Sequence, residues 1–196
     1  PEGRANPRQL MITEQNVDEF KSLVEETRNI AIKETGINPV MILQLTHSGR
    51  YSKPEGKPAP LIARNNPIFE KDNLIDKSRI VTDEYLKRLP DCFARSARLA
   101  AKAGFDGVDI KSCHGYLMNE LLASHTRKGE YGGSFENRIR LFIDSISAAK
   151  SASTAFVTTR MSLYDGFPFP YGWGSGADGK PDLSEPLRLV DILHNR

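Results

Sequence analysis

Apolar positions recur at intervals of three and four along residues 16–35, where Val17, Phe20, Leu23, Val24, Thr27, Ile30 and Ala31 share one predicted helical face. Gly36 follows as a residue able to take the left-handed conformation that ends a helix. After Asn38-Pro39 the pattern becomes an unbroken apolar run, Val40 to Thr46, which predicts a short strand buried on both faces. Residues 47–80 lose periodicity and carry Pro54, Pro58, Pro60 and Pro67, so they read as a long loop or small excursion of the functional kind. Thr82 with Asp83 and Glu84 predicts a short helix broken at Pro90, which in turn opens a second helix through Phe93, Ala97, Leu99, Ala100 and Ala103 to Gly104. Val108-Asp109-Ile110 is a second strand, and Ser134 is a fitting N-cap for a helix over 135–150. Ala155 to Arg160 is a third strand, 165–183 a Gly/Pro-rich rim loop, and a last helix begins near Ser184.

Helices alternating with strands imply an α/β fold with parallel strands and right-handed crossovers. A doubly wound sheet and a TIM barrel both satisfy that order. No GxGxxG or P-loop follows a strand, which counts against the usual doubly wound nucleotide folds. Polar residues gather after the strands instead: Gln44, His47 and Arg50; Lys111, His114 and Tyr116; Arg160. In a TIM barrel that rim is the active-site face. A closed barrel takes ~250 residues and eight strands, so the 196 residues are expected to form one partial (β/α)8 domain, 1–196. The chain opens without Met and stops at DILHNR inside an apolar-periodic run, so both ends read as cuts in a longer polypeptide.

Composition adds boundaries. A net charge of +2 gives no argument for nucleic acid or a membrane surface. Two cysteines, Cys92 and Cys113, are too few for a disulfide scaffold, and a reducing cytoplasm is the default compartment. No apolar run approaches the ~20 residues of a membrane span.

The run Lys111-Ser112-Cys113-His114-Gly115-Tyr116 places a cation, an imidazole and a phenol just past a strand, where they can bind a carbonyl or enolate oxygen and supply a proton. The plainer reading is loop residues with solvent or backbone partners.

The segment GFDGVDIKSCHGYLMNELLASHTRKGEYGGSFENRIRL resembles the fourth-strand signature of old yellow enzyme-type NADH:flavin oxidoreductases, most clearly between Gly107 and Arg138. MILQLTHSGR resembles that family's third strand, VTTRMS its fifth, and GRANPRQLMI the segment after its second. The resemblance implies a partial FMN-dependent barrel built of strands roughly 3 to 5. It also implies hydride passage from NAD(P)H through flavin to an electron-poor small molecule, often an α,β-unsaturated carbonyl compound. It implies that Gln44 bonds the flavin pyrimidine edge and Arg160 faces its N1/O2 region. Tyr116 would donate a proton to substrate, and His114 would hold the substrate oxygen as the second member of a pair. Lys111 departs from the pattern, since the first position of that pair is commonly His; an ammonium there favours an anionic oxygen. The family's phosphate-binding strands would lie after residue 196, so the chain by itself is expected to bind FMN weakly and to be inactive.

Other readings stand beside this one. A rim lysine such as Lys111 also suits a Schiff-base, aldolase-like lyase, and a non-catalytic barrel-derived interaction module is the third. Arg160 has a core carboxylate such as Asp109 as an alternative partner, and Gln44 has neighbouring backbone. His47 and Arg50 either fix the long loop or touch ligand. Glu136, Asn137 and Arg138 lock a loop to a helix start. His125 and Arg127 lie on the loop over the site, Tyr164, Tyr171 and Trp173 form a wall or simply pack, and Cys113 is a buried small side chain.

Overall fold

The computed structural model describes residues 1–71 and 73–195. Its elements run α1 (Val17–Thr35), β1 (Ile42–Leu45), α2 (Pro67–Glu70), α3 (Asp83–Lys102), β2 (Gly107–Ser112), α4 (Leu117–Leu122), α5 (Phe135–Ala152), β3 (Phe156–Met161) and α6 (Ser184–His194). The strands form one parallel sheet in the order β1-β2-β3. Among the described residues, no helix is long and apolar enough to cross a membrane.

Local chemistry explains most boundaries. Gly36 closes α1 in the left-handed region, φ 71°, and its N–H donates to the Ile32 carbonyl at 2.8 Å. Thr82 and Ser134 cap α3 and α5 by accepting from the N–H groups of Tyr85 and Asn137. Asp106 aligns the starts of two strands: its Oδ2 accepts from Met41 N–H at 2.7 Å and from Arg28 of α1 at 2.6 Å.

The sheet separates its two faces by strand alternation. Leu45, Val108 and Ile110 enter a core with Leu86, Leu89, Phe93 and Ala97 of α3 and Ile139, Phe142 and Ile146 of α5. Gln44, Asp109, Lys111, Thr158 and Arg160 occupy the other face in matching register.

Two expectations are corrected. Pro90 does not break a helix; α3 is continuous through it. A mid-helix proline costs ~3 kcal/mol or more. Leu86 and Leu89 before it, and Phe93, Ala97 and Ala100 after it, are all buried, and the larger of these each contribute ~1.5–3 kcal/mol, so burial on one continuous face outweighs the lost hydrogen bond. β1 is not buried on both faces: it shrinks to four residues, Ile42 is 44% exposed and Gln44 is exposed, because β1 is the sheet's edge and its polar face has no covering layer. Residues 47–80, expected as a long loop or small excursion, carry short elements of their own. They hold two 3-10 turns, α2, and an isolated parallel bridge between Ile62 and Ile80, with Ile62 and Ala63 fully buried.

Candidate functional site

Two rows of side chains cross the polar face of the sheet. In the first, Gln44 Nε2 donates to Asp109 Oδ1 at 2.8 Å, and Thr158 Oγ1 donates to Asp109 Oδ2 at 3.1 Å. A carboxylate only accepts, so it fixes which end of the Gln44 amide faces it; Gln44 Oε1 is left as the free acceptor. In the second row Lys111 stands opposite Arg160 across β2 and β3. Arg160 is exposed and forms no ion pair among the described residues. Asp109 therefore serves Gln44 and Thr158, and the alternative in which it pairs with Arg160 is not what the fold builds.

Beyond β2 the chain turns through two consecutive left-handed residues, His114 (φ 63°) and Gly115 (φ 66°). Gly115 N–H donates to Asn119 Oδ1 at 2.8 Å and Leu117 N–H to the His47 carbonyl at 3.2 Å. These bonds seat Tyr116 at the start of α4, a short helix that sequence periodicity does not predict. Gly49 permits this approach: at φ 57° a Cβ there would lie 2.6 Å from Leu117 N. The Lys111 ammonium then lies 3.7 Å from the Tyr116 ring centroid, and Tyr51 packs on the same ring with centroids 5.9 Å apart.

The electrostatics of this rim are positive. Burial pushes the Lys111 pKa down, with Arg160 adding to that and Cys113 and Asp109 opposing it. His114 is likewise lowered, by desolvation and then by Lys111 and Arg160. Burial raises the Cys113 thiol, which suits its reading as a buried small side chain and not a nucleophile.

The long loop is held from within. Arg50 is buried between Glu70 and Glu120; its Nε donates to Glu120 Oε1 at 2.7 Å, and its guanidinium also pairs with Glu70. Burial raises the Glu120 pKa while Arg50 and the Ala63 N–H oppose the rise. His47 accepts from Gly49 N–H at Nδ1 (3.1 Å), so its Nε2 carries the proton and donates to Tyr85 Oη at 2.8 Å; Tyr85 in turn donates to Glu2 at 3.0 Å. His47 and Arg50 thus fix the loop. Arg127 ties it to Asp83 at 2.7 Å, and Arg138 binds Glu185 and the Leu122 carbonyl, both at 2.5 Å, and the Gly133 carbonyl at 3.0 Å.

A cavity of about 310 Å³ lies beside the rim. Of the residues singled out in the sequence its wall includes His114, Tyr164 and Tyr171, but not Lys111, Tyr116, Gln44 or Arg160. Trp173 is fully buried and packs. His125 sits against Phe169, with ring centroids 4.8 Å apart. Sequence reasoning missed Asn119, Arg64 and Tyr51 in the cavity wall. For Arg64 the signal was a charge directly after the apolar Leu61-Ile62-Ala63.

The sequence profile of the NADH:flavin oxidoreductase / NADH oxidase family matches residues 1–169. A putative 12-oxophytodienoate reductase of rice is 37% identical over 69% of the chain and 36% of its own length. An NADPH dehydrogenase of Clostridium acetobutylicum is 33% identical over 99% of the chain and 52% of its own length. The crystal structure of an Old Yellow Enzyme from a Pichia species superposes with a TM-score of 0.70 at 25% identity, covering 94% of the chain and 48% of that protein. The chain therefore spans between about a third and a half of these relatives. The matched family is one of oxidoreductases, and the rice and Clostridium proteins are named a reductase and a dehydrogenase, so the Schiff-base lyase reading of Lys111 has no support.

Proposed function

The chain belongs to the NADH:flavin oxidoreductase / NADH oxidase family, and from that membership we propose that the whole protein is an FMN-dependent oxidoreductase. It passes hydride from NAD(P)H through flavin to an electron-poor, α,β-unsaturated carbonyl substrate. The three parallel strands are an arc of a (β/α)8 barrel, roughly its strands 3 to 5. Residues 1–196 belong to one domain, with 47–80 and 165–183 as rim loops. The polar sheet face is the barrel interior, and its C-terminal end is the catalytic rim.

One observation carries this reading: the polar face brings an oriented amide, an unpaired guanidinium and a lysine–tyrosine pair together on adjacent rows. These residues fit a flavin. Gln44 offers an Oε1 acceptor for an imide-type N–H, and Arg160, a cation with no carboxylate partner among the described residues, is suited to an anionic ring edge. Bound FMN would supply two-electron storage and hydride transfer. The chain's own residues do the rest. Lys111 and His114 hold the substrate oxygen and stabilise the negative charge that grows there. Tyr116 would give its phenolic proton to the substrate α-carbon and be reprotonated from solvent.

The test is the full-length protein purified with flavin. The expected result is a stoichiometric FMN absorbance band bleached by NAD(P)H and restored by cyclohexenone. A colourless protein that consumes no NAD(P)H would overturn the reading.

A further inference from the structure

The turn between β2 and α4 departs from the way α3 and α5 begin. Those helices start on Thr82 and Ser134, whose hydroxyls accept from N–H groups of the first turn. Helix α4 starts on Tyr116, whose side chain accepts no such bond. The position that normally caps a helix is taken by the phenol proposed as proton donor. Just before it stands His114 at φ 63°. Among the described residues only Lys71 and His114 take a positive φ without being glycine. That region is uncommon for a residue with a Cβ. His114 is exposed, so burial of its side chain does not impose the conformation.

Asn119 holds this turn from within the helix. It is the third residue of α4, and its Oδ1 accepts from Gly115 N–H at 2.8 Å. The bond resembles the half of a capping box in which the third helical residue reaches back to the chain before the helix. The other half is missing, because Tyr116 does not supply it. The amide is otherwise poorly served. Asn119 is 2% exposed and its Nδ2 has no hydrogen-bond partner, in a helix whose Leu117, Met118, Leu121 and Leu122 are also buried. A leucine at 119 would leave no polar nitrogen unmet, so the amide carries a desolvation cost that its one bond has to offset. The missing cap, the left-handed histidine and the half-satisfied amide all fall within residues 114–119. The same stretch carries both His114 and Tyr116. Local costs gathered in one place point to a conformation kept for a function.

We propose that Asn119 is a positioning residue for enone reduction: its bond to Gly115 N–H fixes the turn so that His114 can hold a substrate oxygen while Tyr116 delivers a proton to carbon. Asn119 acts through the turn and not by contact with substrate. The proposal rests on the reductase reading for the roles of His114 and Tyr116. It separates Asn119 from residues that merely stabilise the fold, because its loss falls on the acceptor that needs a held oxygen and a proton on carbon, and spares one that needs neither.

The experiment uses the full-length, flavin-loaded protein, reduced anaerobically by titration with dithionite and mixed in a stopped-flow instrument with cyclohexenone or with ferricyanide. Ferricyanide takes single electrons, with no oxygen to hold and no proton to place on carbon. Asn119→Leu keeps the shape of the side chain and removes the acceptor. It is expected to slow reoxidation by cyclohexenone roughly 10- to 100-fold, the scale of a misplaced reacting group, and to leave reoxidation by ferricyanide within about twofold. Asn119→Asp keeps an acceptor for Gly115 N–H and is expected to recover most of the loss. Amide exchange followed by mass spectrometry reads the turn without turnover: residues 114–117 are expected to exchange about tenfold faster in Asn119→Leu than in the unaltered protein or Asn119→Asp, the scale of one buried hydrogen bond lost. An Asn119→Leu protein that loses its flavin, or that slows with both acceptors alike, overturns the proposal, since the role is then structural. Unchanged reoxidation by cyclohexenone in Asn119→Leu overturns it too, as does an Asn119→Asp protein no faster than Asn119→Leu. If the exchange pattern appears but the unaltered protein reduces no cyclohexenone, the hold on the turn stands and the reductase reading fails.

Discussion

The Lys111 ammonium lies 3.7 Å from the centroid of the Tyr116 ring, with Arg160 opposite it in register. A buried cation is thus held against the phenol proposed to deliver a proton. Lys111→Met removes a charge-assisted contact to the substrate oxygen and is expected to lower kcat/KM for enone reduction roughly 10- to 100-fold. Lys111→His, which restores a donor, recovers part of it. Burial lowers the Lys111 pKa, so its charged form is lost at lower pH than that of an exposed lysine. In the unaltered protein kcat/KM therefore falls as pH rises through that lowered value. Lys111→Arg, which stays charged, shifts the alkaline fall upward, and a pH profile of the two proteins checks this.

Among the described residues Arg50 forms the ion pairs with two buried carboxylates, with side-chain exposures of 9% for Arg50, 3% for Glu70 and 11% for Glu120, and Arg64 lies close enough to act on Glu120 as well. Removing it leaves two buried charges without their partner. Arg50→Met is expected to cost ~3–5 kcal/mol of stability, read as a lower urea midpoint. The triple change Arg50→Met, Glu70→Gln and Glu120→Gln recovers most of the loss, because replacing a whole buried cluster is far milder than breaking it. A loop held only by surface contacts would show neither effect.

The elements legible in advance were those whose signals are local. Gly36 and Ser134 stand where capping chemistry puts them, the strand expected at 108–110 runs from 107 to 112, and Lys111, His114, Tyr116, Gln44 and Arg160 gather toward one end of one sheet. The misreadings share a cause in tertiary packing. Pro90 looks like a break until Leu86, Leu89 and Phe93 are seen buried on one face. What holds the excursion over 47–80 is not legible until Arg50, Glu70 and Glu120 meet across 70 residues of sequence. Asp109 was visible as a carboxylate needing a partner, but only the register β1-β2-β3 decides that the partners are Gln44 and Thr158. Asn119 carried no signal, because a lone Asn in an apolar helical turn reads as surface.

That choice of partner gives Asp109 a positioning role. Its carboxylate holds Gln44 Nε2 and leaves Gln44 Oε1 outward. Asp109→Asn presents a donor as well as an acceptor and lets the Gln44 amide turn over. FMN affinity of the full-length protein is expected to fall about tenfold, the scale of one buried hydrogen bond, while Asp109→Glu, still an acceptor alone, loses less. Gln44→Leu removes the contact itself and falls at least as far. Fluorescence titration of apoprotein with FMN measures all three. Asp109→Asn with unaltered affinity would separate Asp109 from the cofactor.

His47 makes the fold sensitive to mild acid. Burial lowers its pKa from 6.5 to about 4, against the opposing charge of Glu2. The folded state therefore keeps a neutral ring, accepting from Gly49 and donating to Tyr85, under conditions where the unfolded chain already binds a proton. The sign follows: the folded pKa lies below the unfolded one, so the stabilisation is complete above pH 6.5 and is lost as pH falls toward about 4. The shift corresponds to about 3 kcal/mol at most. Thermal melts between pH 7 and 4 are expected to show Tm falling across this window in the unaltered protein. His47→Gln can keep both hydrogen bonds and does not titrate, so it flattens the fall between pH 6.5 and 5, above the range where carboxylates protonate. Parallel Tm curves for the two proteins would remove His47 from the acid response and leave it to His125, whose pKa burial also lowers to about 4, and to the carboxylates.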